Sequence, residues 1–277
     1  MSSVLITKNT GKSEPFDPSK LVSSLKHAGA SDDHANKISL HIQGELREGM
    51  TTDQIYRHAF DLLRISSNTA ASKYSMKRAV SELGPDGFAF EKLLAEIWKK
   101  KGYEAVSGQI VQGSCVEHEV DLVAWKEDEL IMAEAKFHNE AGIKSDLKTA
   151  LYVKARLDDL KDELYEYGGK KRAITAWYLI TNTKFTDHAT RYAKCKGLNL
   201  IAWNYPQKGN LEDLIIESGV NPITCLITLS TSEKKALLNA GIVICKDIIE
   251  RKNDLIGLGV HKDKIDDVVA EAHTAFN

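Results

Sequence analysis

"HEVDLVAWKEDELIMAEAKFH", residues 118–138, is spelled as a β-hairpin. Two apolar-rich runs flank the polar turn "KEDE". The second run breaks its own pattern at Glu134 and Lys136, where a core strand would carry apolar side chains. With Trp125 opposite Leu130 across the turn, the same antiparallel register sets Asp121 opposite Glu134 and Glu119 opposite Lys136. Alternation then puts Glu134, Lys136 and the cross-strand Asp121 on one face. Facing carboxylates repel unless a cation or a proton sits between them. Oxygen ligands of this kind suit a hard divalent ion, Mg²⁺ or Mn²⁺, and the neighbouring ammonium suits an attacking water or a phosphate. An ion-paired cluster on a solvated sheet face has the same spelling, so spacing alone leaves both readings open.

Outward from the hairpin the pattern is mixed α/β. A helix, "FAFEKLLAEIWKKKG", precedes it, and "EAVSGQIVQGSC" leads into its first strand. A long helix is expected over roughly 144–166, then a buried strand "AITAWYLITN", a helix "TDHATRYAKCKG" and a short strand "LNLIAWN". "GPDG" at 84–87 reads as a boundary. Before it lie two short β-like runs around Asn9-Thr10-Gly11 and about four helices, the first started by Asp17-Pro18. After about 208 the chain is helical again. The expected fold class is therefore α/β multidomain, with domains at 1–84, 85–207 and 208–277.

The chain has 277 residues, 43% hydrophobic and 27% charged, ordinary for a globular protein of two or three domains. It opens without a basic-then-apolar leader and holds no apolar run long enough to span a bilayer, so the expected location is cytoplasmic, with no membrane partner. Its four cysteines lack C-x-x-C spacing, which suggests neither a zinc knuckle nor a disulfide framework. Net charge is −2, and the three segments carry 11, 18 and 8 Lys/Arg against 9, 19 and 11 Asp/Glu. Bulk electrostatics therefore offers no nucleic-acid module, and contacts to DNA would fall to local patches such as Lys99-Lys100-Lys101 and Lys170-Lys171-Arg172, which read equally as solvated faces.

"EVDLVAW" followed by "AEAKFH" resembles the D-(x)n-E-x-K motif of the PD-(D/E)xK nuclease superfamily, with Asp121, Glu134 and Lys136 at its three positions and Val120 where the nominal proline stands. "FAFEKLLAEIWKKKGYEA" resembles the first helix of Mrr-like restriction endonuclease domains, and "YLITNTKFTDHATRYAKCKGLNLIAWN" their later strand-helix-strand. The resemblance covers roughly 85–207. It implies a restriction-endonuclease-like α/β core with a mixed sheet. The metal ligands would be Asp121 and Glu134, with Lys136 catalytic and Glu91 pointing back towards the metal. It also implies Mg²⁺ or Mn²⁺ as cofactor and DNA as substrate, RNA not being separated by the motif. His118 either touches the scissile phosphate or is a structural residue at a strand end. Tyr152 and Arg156, one turn apart, either face the cleft or belong to an ordinary amphipathic helix, and the second is the expectation.

"VLITKNTGKSEPFDPSKLVSSLKHAG" followed by "GMTTDQIYRHAFDLL" resembles the ATP-cone, an α-rich regulatory nucleotide-binding domain. That resemblance places Val4, Lys8, Glu14, Lys20 and Thr52 around ATP or dATP, with Tyr56 one turn on, beside a base or ribose. The family's usual Lys-Arg-Asp-Gly turn reads Lys8-Asn9-Thr10-Gly11 here, one phosphate partner fewer. No Walker A frame is present, so binding without turnover is expected. The tail from "LSTSEKKALLNAG" onward resembles a small all-α helix-hairpin-helix domain, whose Gly257-Leu258-Gly259 amides would contact a phosphate, or else serves protein or dimer packing. The combined expectation is a metal-dependent DNA endonuclease regulated by an adenine nucleotide, with a homodimer suited to double-strand cutting. The competing expectation is a nucleotide-sensing DNA-binding or scaffold protein with an inactive nuclease fold.

Overall fold

The computed structural model describes residues 4–8, 12–66, 68–85, 87–139 and 142–276. The turn expected at Asn9-Thr10-Gly11, and Asp86 of the expected boundary, lie outside them. The chain divides into two compact units, residues 1–76 and 77–277.

In the first unit, β1 (Leu5–Thr7) pairs antiparallel with β2 (Ser13–Pro15). Then follow α1 (Pro18–His27), α2 (Asp32–Glu45), α3 (Thr52–Ser66) and α4 (Asn68–Ser81), whose last residues count with the second unit. The starts of these helices are written locally. The Asp17 carboxylate accepts from Ser19 N ahead of Pro18, and the Ser31 side chain accepts from His34 N. Thr51, rather than Thr52, caps α3: its Oγ1 accepts from Gln54 N while Gln54 Oε1 accepts from Thr51 N. Leu21, Leu25, Ile38, Ile42, Ile55 and Leu63 form the core.

The second unit opens with α5 (Phe88–Lys100), then β3 (Glu104–Gln112), β4 (Glu117–Lys126), β5 (Glu129–Lys136) and β6 (Lys144–Ser145). It continues through α6 (Leu147–Leu160), β7 (Tyr165–Tyr167), β8 (Lys170–Arg172), β9 (Ala176–Thr181), β10 (Lys184–Phe185), α7 (Asp187–Lys196) and β11 (Asn199–Ile201). The tail carries α8 (Leu211–Ser218), α9 (Thr231–Asn239), α10 (Cys245–Glu250) and α11 (Ile265–Phe276). Five strands make a mixed sheet in the order β11-β9-β5-β4-β3, parallel from β11 to β5 and antiparallel from β5 to β3. Ala150, Val153 and Leu160 of α6 and Ala189 and Ala193 of α7 join Val123, Leu130, Met132, Trp177 and Leu179 of the sheet in one core. A second core gathers Ile223, Leu226, Leu237, Ile248, Leu255 and Val268 in the tail. Burial of side chains this size, at about 1.5–3 kcal/mol each, supplies the main driving force for both.

Three expectations need correction. The helix expected over 144–166 is shorter at both ends. Ser145 instead pairs in parallel with Phe185, Asp146 caps α6 by accepting from Thr149 N, and β7 and β8 form a hairpin where helix was expected to end. Gly168 turns that hairpin at φ +59°, and a Cβ there would stand 2.8 Å from Trp125 Nε1. Neither named lysine patch is a free basic surface. Lys170 pairs with Asp128, Arg172 is buried and donates to the carbonyls of Glu127, Tyr167 and Lys170, Lys99 pairs with Glu96, and Lys101 lies over the Trp98 ring. In the tail, the Leu258 and Gly259 amides donate to Asp254 O and Ile256 O within their own turn. They are therefore occupied as phosphate donors.

Candidate active site

β4 and β5 pair in the expected register, with Trp125 opposite Leu130. The ladder stops at Leu122 opposite Ala133, one pair short of Asp121 and Glu134. Beyond it the strands separate, and the Asp121 carboxylate turns across the gap so that Oδ2 accepts from Ala135 N at 2.7 Å. Val120 and Val123 both join the core that α6 shares, and His118 reaches Asp159 of α6, a spacing that unbroken alternation forbids. The strand turns over at Asp121, where its pairing with β3 is also interrupted, opposite Gly108 at φ +61°. Glu119 accordingly pairs with Ile110 of β3 and has no ladder partner in Lys136.

On the other strand, β9 runs parallel to β5 and fixes Glu134 beside Leu179 and Lys136 beside buried Thr181. The strand end is clamped: His138 N donates to Asn182 Oδ1 at 2.9 Å, and Asn182 Nδ2 donates to His138 O at 2.8 Å. Lys136 stays exposed. Glu91 stands in the first turn of α5, where a Cβ at Gly87 would lie 3.7 Å from both Glu91 Oε1 and Phe137 Cβ. The first turn of α5 thus packs next to the residue that follows Lys136, with Phe90 and Phe137 rings 5.5 Å apart.

Arg156, for which the sequence favours an ordinary amphipathic helix over a place in the cleft, reaches Glu134. Only 9% of its side chain is exposed, and Nη1 donates to Glu134 Oε2. Its Nε is buried without a hydrogen-bond partner among the described residues, and its guanidinium lies over the exposed Tyr152 ring. The signal was the i,i+4 spacing of Tyr152 and Arg156, which an amphipathic helix shares. Only the seating of α6 on the sheet separates the two.

Electrostatics single this cluster out. Burial, and then the Asp121 charge, push the Glu134 carboxyl up to about 7 against the pull of Arg156 and Lys136. Burial likewise raises Asp121, against the Ala135 hydrogen bond and the Arg156 charge. Two carboxylates compete here for too little positive charge. Among the described residues, Oδ1 of Asp121 and Oε1 of Glu134 take no hydrogen bond, so each acid keeps one oxygen for a ligand. Two hard oxygen donors with a net demand for positive charge fit Mg²⁺ or Mn²⁺.

His118 is structural in this geometry. Its Nε2 lies 2.8 Å from Asp159 Oδ2, and the same carboxylate accepts from Cys115 N and Val116 N. The His118 hydrogen bond, followed by that of Cys115, holds Asp159 down to about 2. Gly113 permits this closure, because a Cβ there would stand 2.8 Å from Val116 O and closer still to the Asp159 carboxylate.

The matching family models are the restriction endonuclease catalytic domain over residues 84–205 and the AF1548-like C-terminal domain over 222–274. An uncharacterised protein from Archaeoglobus fulgidus is 37% identical over 182 residues, 65% of this chain and 97% of that protein. The chain belongs to the AF1548-like family. The crystal structure of AF1548, a protein of unknown function, is 34% identical, covering 68% of this chain and 97% of that one with a TM-score of 0.55. The MspJI restriction endonuclease, solved in complex with a 27-mer oligonucleotide, is more distant at 13% identity, 72% and 39% coverage and a TM-score of 0.35. By the family model over 84–205 the core of this family member is restriction-endonuclease-like, and its tail matches the AF1548-like C-terminal domain over 222–274.

In the first unit, Val4 O accepts from Phe16 N across the hairpin, and Lys8 Nζ lies 2.6 Å from Glu14 Oε2. Lys20 Nζ lies 4.0 Å from the other Glu14 oxygen, and Lys8 holds the Glu14 carboxyl below its ordinary value. Thr7 bridges Thr51, which brings Thr52 at the start of α3 alongside the end of β1. Tyr56 is used within the unit, stacking on Tyr74 at 5.0 Å and on Phe60 at 6.5 Å. Among the described residues, no helix is long and apolar enough to cross a membrane.

Proposed function

We propose that the protein is a metal-dependent endonuclease acting on DNA, with its centre at Asp121, Glu134 and Lys136. The observation that carries this reading is the pair of half-buried, charge-starved carboxylates, each keeping one oxygen unbonded among the described residues, beside an exposed lysine. Asp121 and Glu134 would hold Mg²⁺ or Mn²⁺, with Glu91 supporting from α5. When bound, the ion supplies Lewis-acid polarisation of a phosphate and a lowered pKa for a water. Lys136 positions the attacking water and faces the charge that grows on the phosphate. Arg156 fixes the Glu134 rotamer through Oε2 and offers its remaining N–H groups to an anion.

A basic strip supports a nucleic-acid substrate in a chain of near-neutral balance. Lys144 and Lys184 are register partners on β6 and β10, and both are exposed. Ser145, next along, bonds His138 at the clamped end of β5. Burial, and then Lys184, hold the Lys77 ammonium below its ordinary value against the pull of Glu212. Like charges gathered this way favour a polyanion. Double-strand cutting needs two such centres, which a homodimer would provide.

A metal ion must displace the proton from Glu134. Mn²⁺ affinity is therefore expected to rise about tenfold or more per pH unit up to about pH 7 and to level off above it, measured by calorimetry. A flat profile across that window would remove Glu134 from the ligand set.

The first unit supports a regulatory adenine-nucleotide site. Lys8, Glu14 and Lys20 are held together next to the start of α3, where two ammonium groups meet the field of a helix N-terminus. Lys8→Ala and Lys20→Ala are each expected to weaken ATP or dATP binding about 10- to 100-fold, from the loss of one charged contact of about 1.5–3 kcal/mol. Titration with a fluorescent ATP analogue reads this directly. A wild-type chain that binds neither nucleotide ends the proposal.

A further inference from the structure

Two imidazoles and a carboxylate converge on one face of the first unit. His41 and Glu45 stand one turn apart on α2, and His58 comes from α3. Glu45 lies between the rings, with Oε1 3.3 Å from His41 Nε2 and Oε2 3.3 Å from His58 Nδ1. The rings meet edge to face, with centroids 5.2 Å apart and planes at 78°. One donor atom from each of the three residues lies within 4.8 Å of the other two.

These distances match a coordination sphere. Ligands about 2.0–2.1 Å from a tetrahedral Zn²⁺ stand roughly 3.3 Å from one another. Each imidazole nitrogen already stands that far from one of the two Glu45 oxygens, and drawing one donor atom per residue from within 4.8 Å to that spacing takes a rotation of side chains that are about one-third to one-half exposed. Neutral imidazoles bring nitrogen lone pairs that suit a borderline transition ion and not Mg²⁺, the reverse of the all-oxygen pair at Asp121 and Glu134. We propose that His41, Glu45 and His58 form a second metal site, selective for Zn²⁺-class ions. It ties α2 to α3 and leaves one coordination position open to solvent. This assignment is independent of the nuclease reading.

Co²⁺ is the probe, because a tetrahedral nitrogen-oxygen sphere gives it a visible absorption band that octahedral, all-oxygen coordination gives only faintly. The full-length chain carries Glu134→Gln to disable the oxygen site, and equilibrium dialysis against Zn²⁺ counts bound metal. The expected result is one saturable ion per chain with the intense band, its affinity reduced at least tenfold by His41→Asn and by His58→Asn. Zn²⁺ is expected to raise the melting temperature of the parent chain and not of the double His variant. All three side chains are exposed or half-buried, so both variants should keep their helical circular dichroism, and this is recorded alongside. The proposal is overturned if the parent shows no saturable band, or if the double variant binds the same ion with the same affinity and spectrum.

Discussion

Glu134→Gln and Lys136→Ala proteins are each expected to lose metal-dependent cleavage of plasmid DNA by about 10³-fold or more. Glu134→Gln keeps shape and volume but leaves Asp121 without a second anionic oxygen, and Arg156 facing a neutral amide. Lys136→Ala removes an exposed side chain whose backbone stays paired with Thr181, so folding should be unaffected and the loss confined to chemistry. A nicking assay with Mg²⁺ or Mn²⁺, with and without ATP and dATP, measures both variants against the parent. Equal cutting by all three would move the active site elsewhere. Uniform inactivity in a chain that still binds ATP would favour a nucleotide-sensing scaffold with a silent nuclease fold.

Arg156→Ala is the second large effect, and it appears first in stability. Removing one member of a buried ion pair typically destabilises by about 3–5 kcal/mol, because the remaining charge keeps its desolvation penalty and loses its partner. Here the remaining charges are Glu134 and Asp121, both already held above their ordinary values by burial. The sign of the pH dependence follows. A carboxyl whose folded pKa is raised lowers stability as pH climbs from the unfolded value towards the folded one. Without Arg156 the Glu134 value rises further, so the destabilisation is expected to be largest near pH 8 and to shrink near pH 6, where Glu134 takes up a proton. Urea denaturation at about these two pH values measures it. The Glu134→Gln, Arg156→Met double variant should recover most of the loss. A pH-independent loss that the double variant does not recover would identify Arg156 as a packing residue.

Much of the architecture is legible locally. Asp17-Pro18, Ser31 and Thr186 start helices because each side chain reaches a free amide two or three residues on, and the "KEDE" turn sets the β4–β5 register because hairpin pairing follows from the turn. The failures have one physical origin. The 144–166 stretch has helical periodicity throughout, yet its ends are taken as strand: Ser145 pairs with Phe185, remote in sequence, and β7 pairs with β8 across a two-residue turn beyond the stretch. The Lys170-Lys171-Arg172 run looks basic in one dimension, but Asp128 pairs with Lys170, and Arg172 is buried with N–H groups donated to three carbonyls.

The candidate site divides along the same line. Asp121, Glu134 and Lys136 are written in the sequence, because a carboxylate and an ammonium inside an apolar strand have no packing reason to be there. Tertiary structure alone decided that β4 turns over at Asp121, so that the acid bonds the Ala135 amide and not its ladder opposite. It also decided that Arg156, 22 residues on from Glu134, reaches across from α6 to hold it. His41, Glu45 and His58 follow the same logic: the i,i+4 pair is visible on one helix, and the third member is supplied only when α3 packs on α2. Periodicity and capping are properties of neighbouring residues and can be read along the chain. The field at a carboxylate depends on every charge within a few ångströms and on the water excluded around it, and only the folded core fixes those.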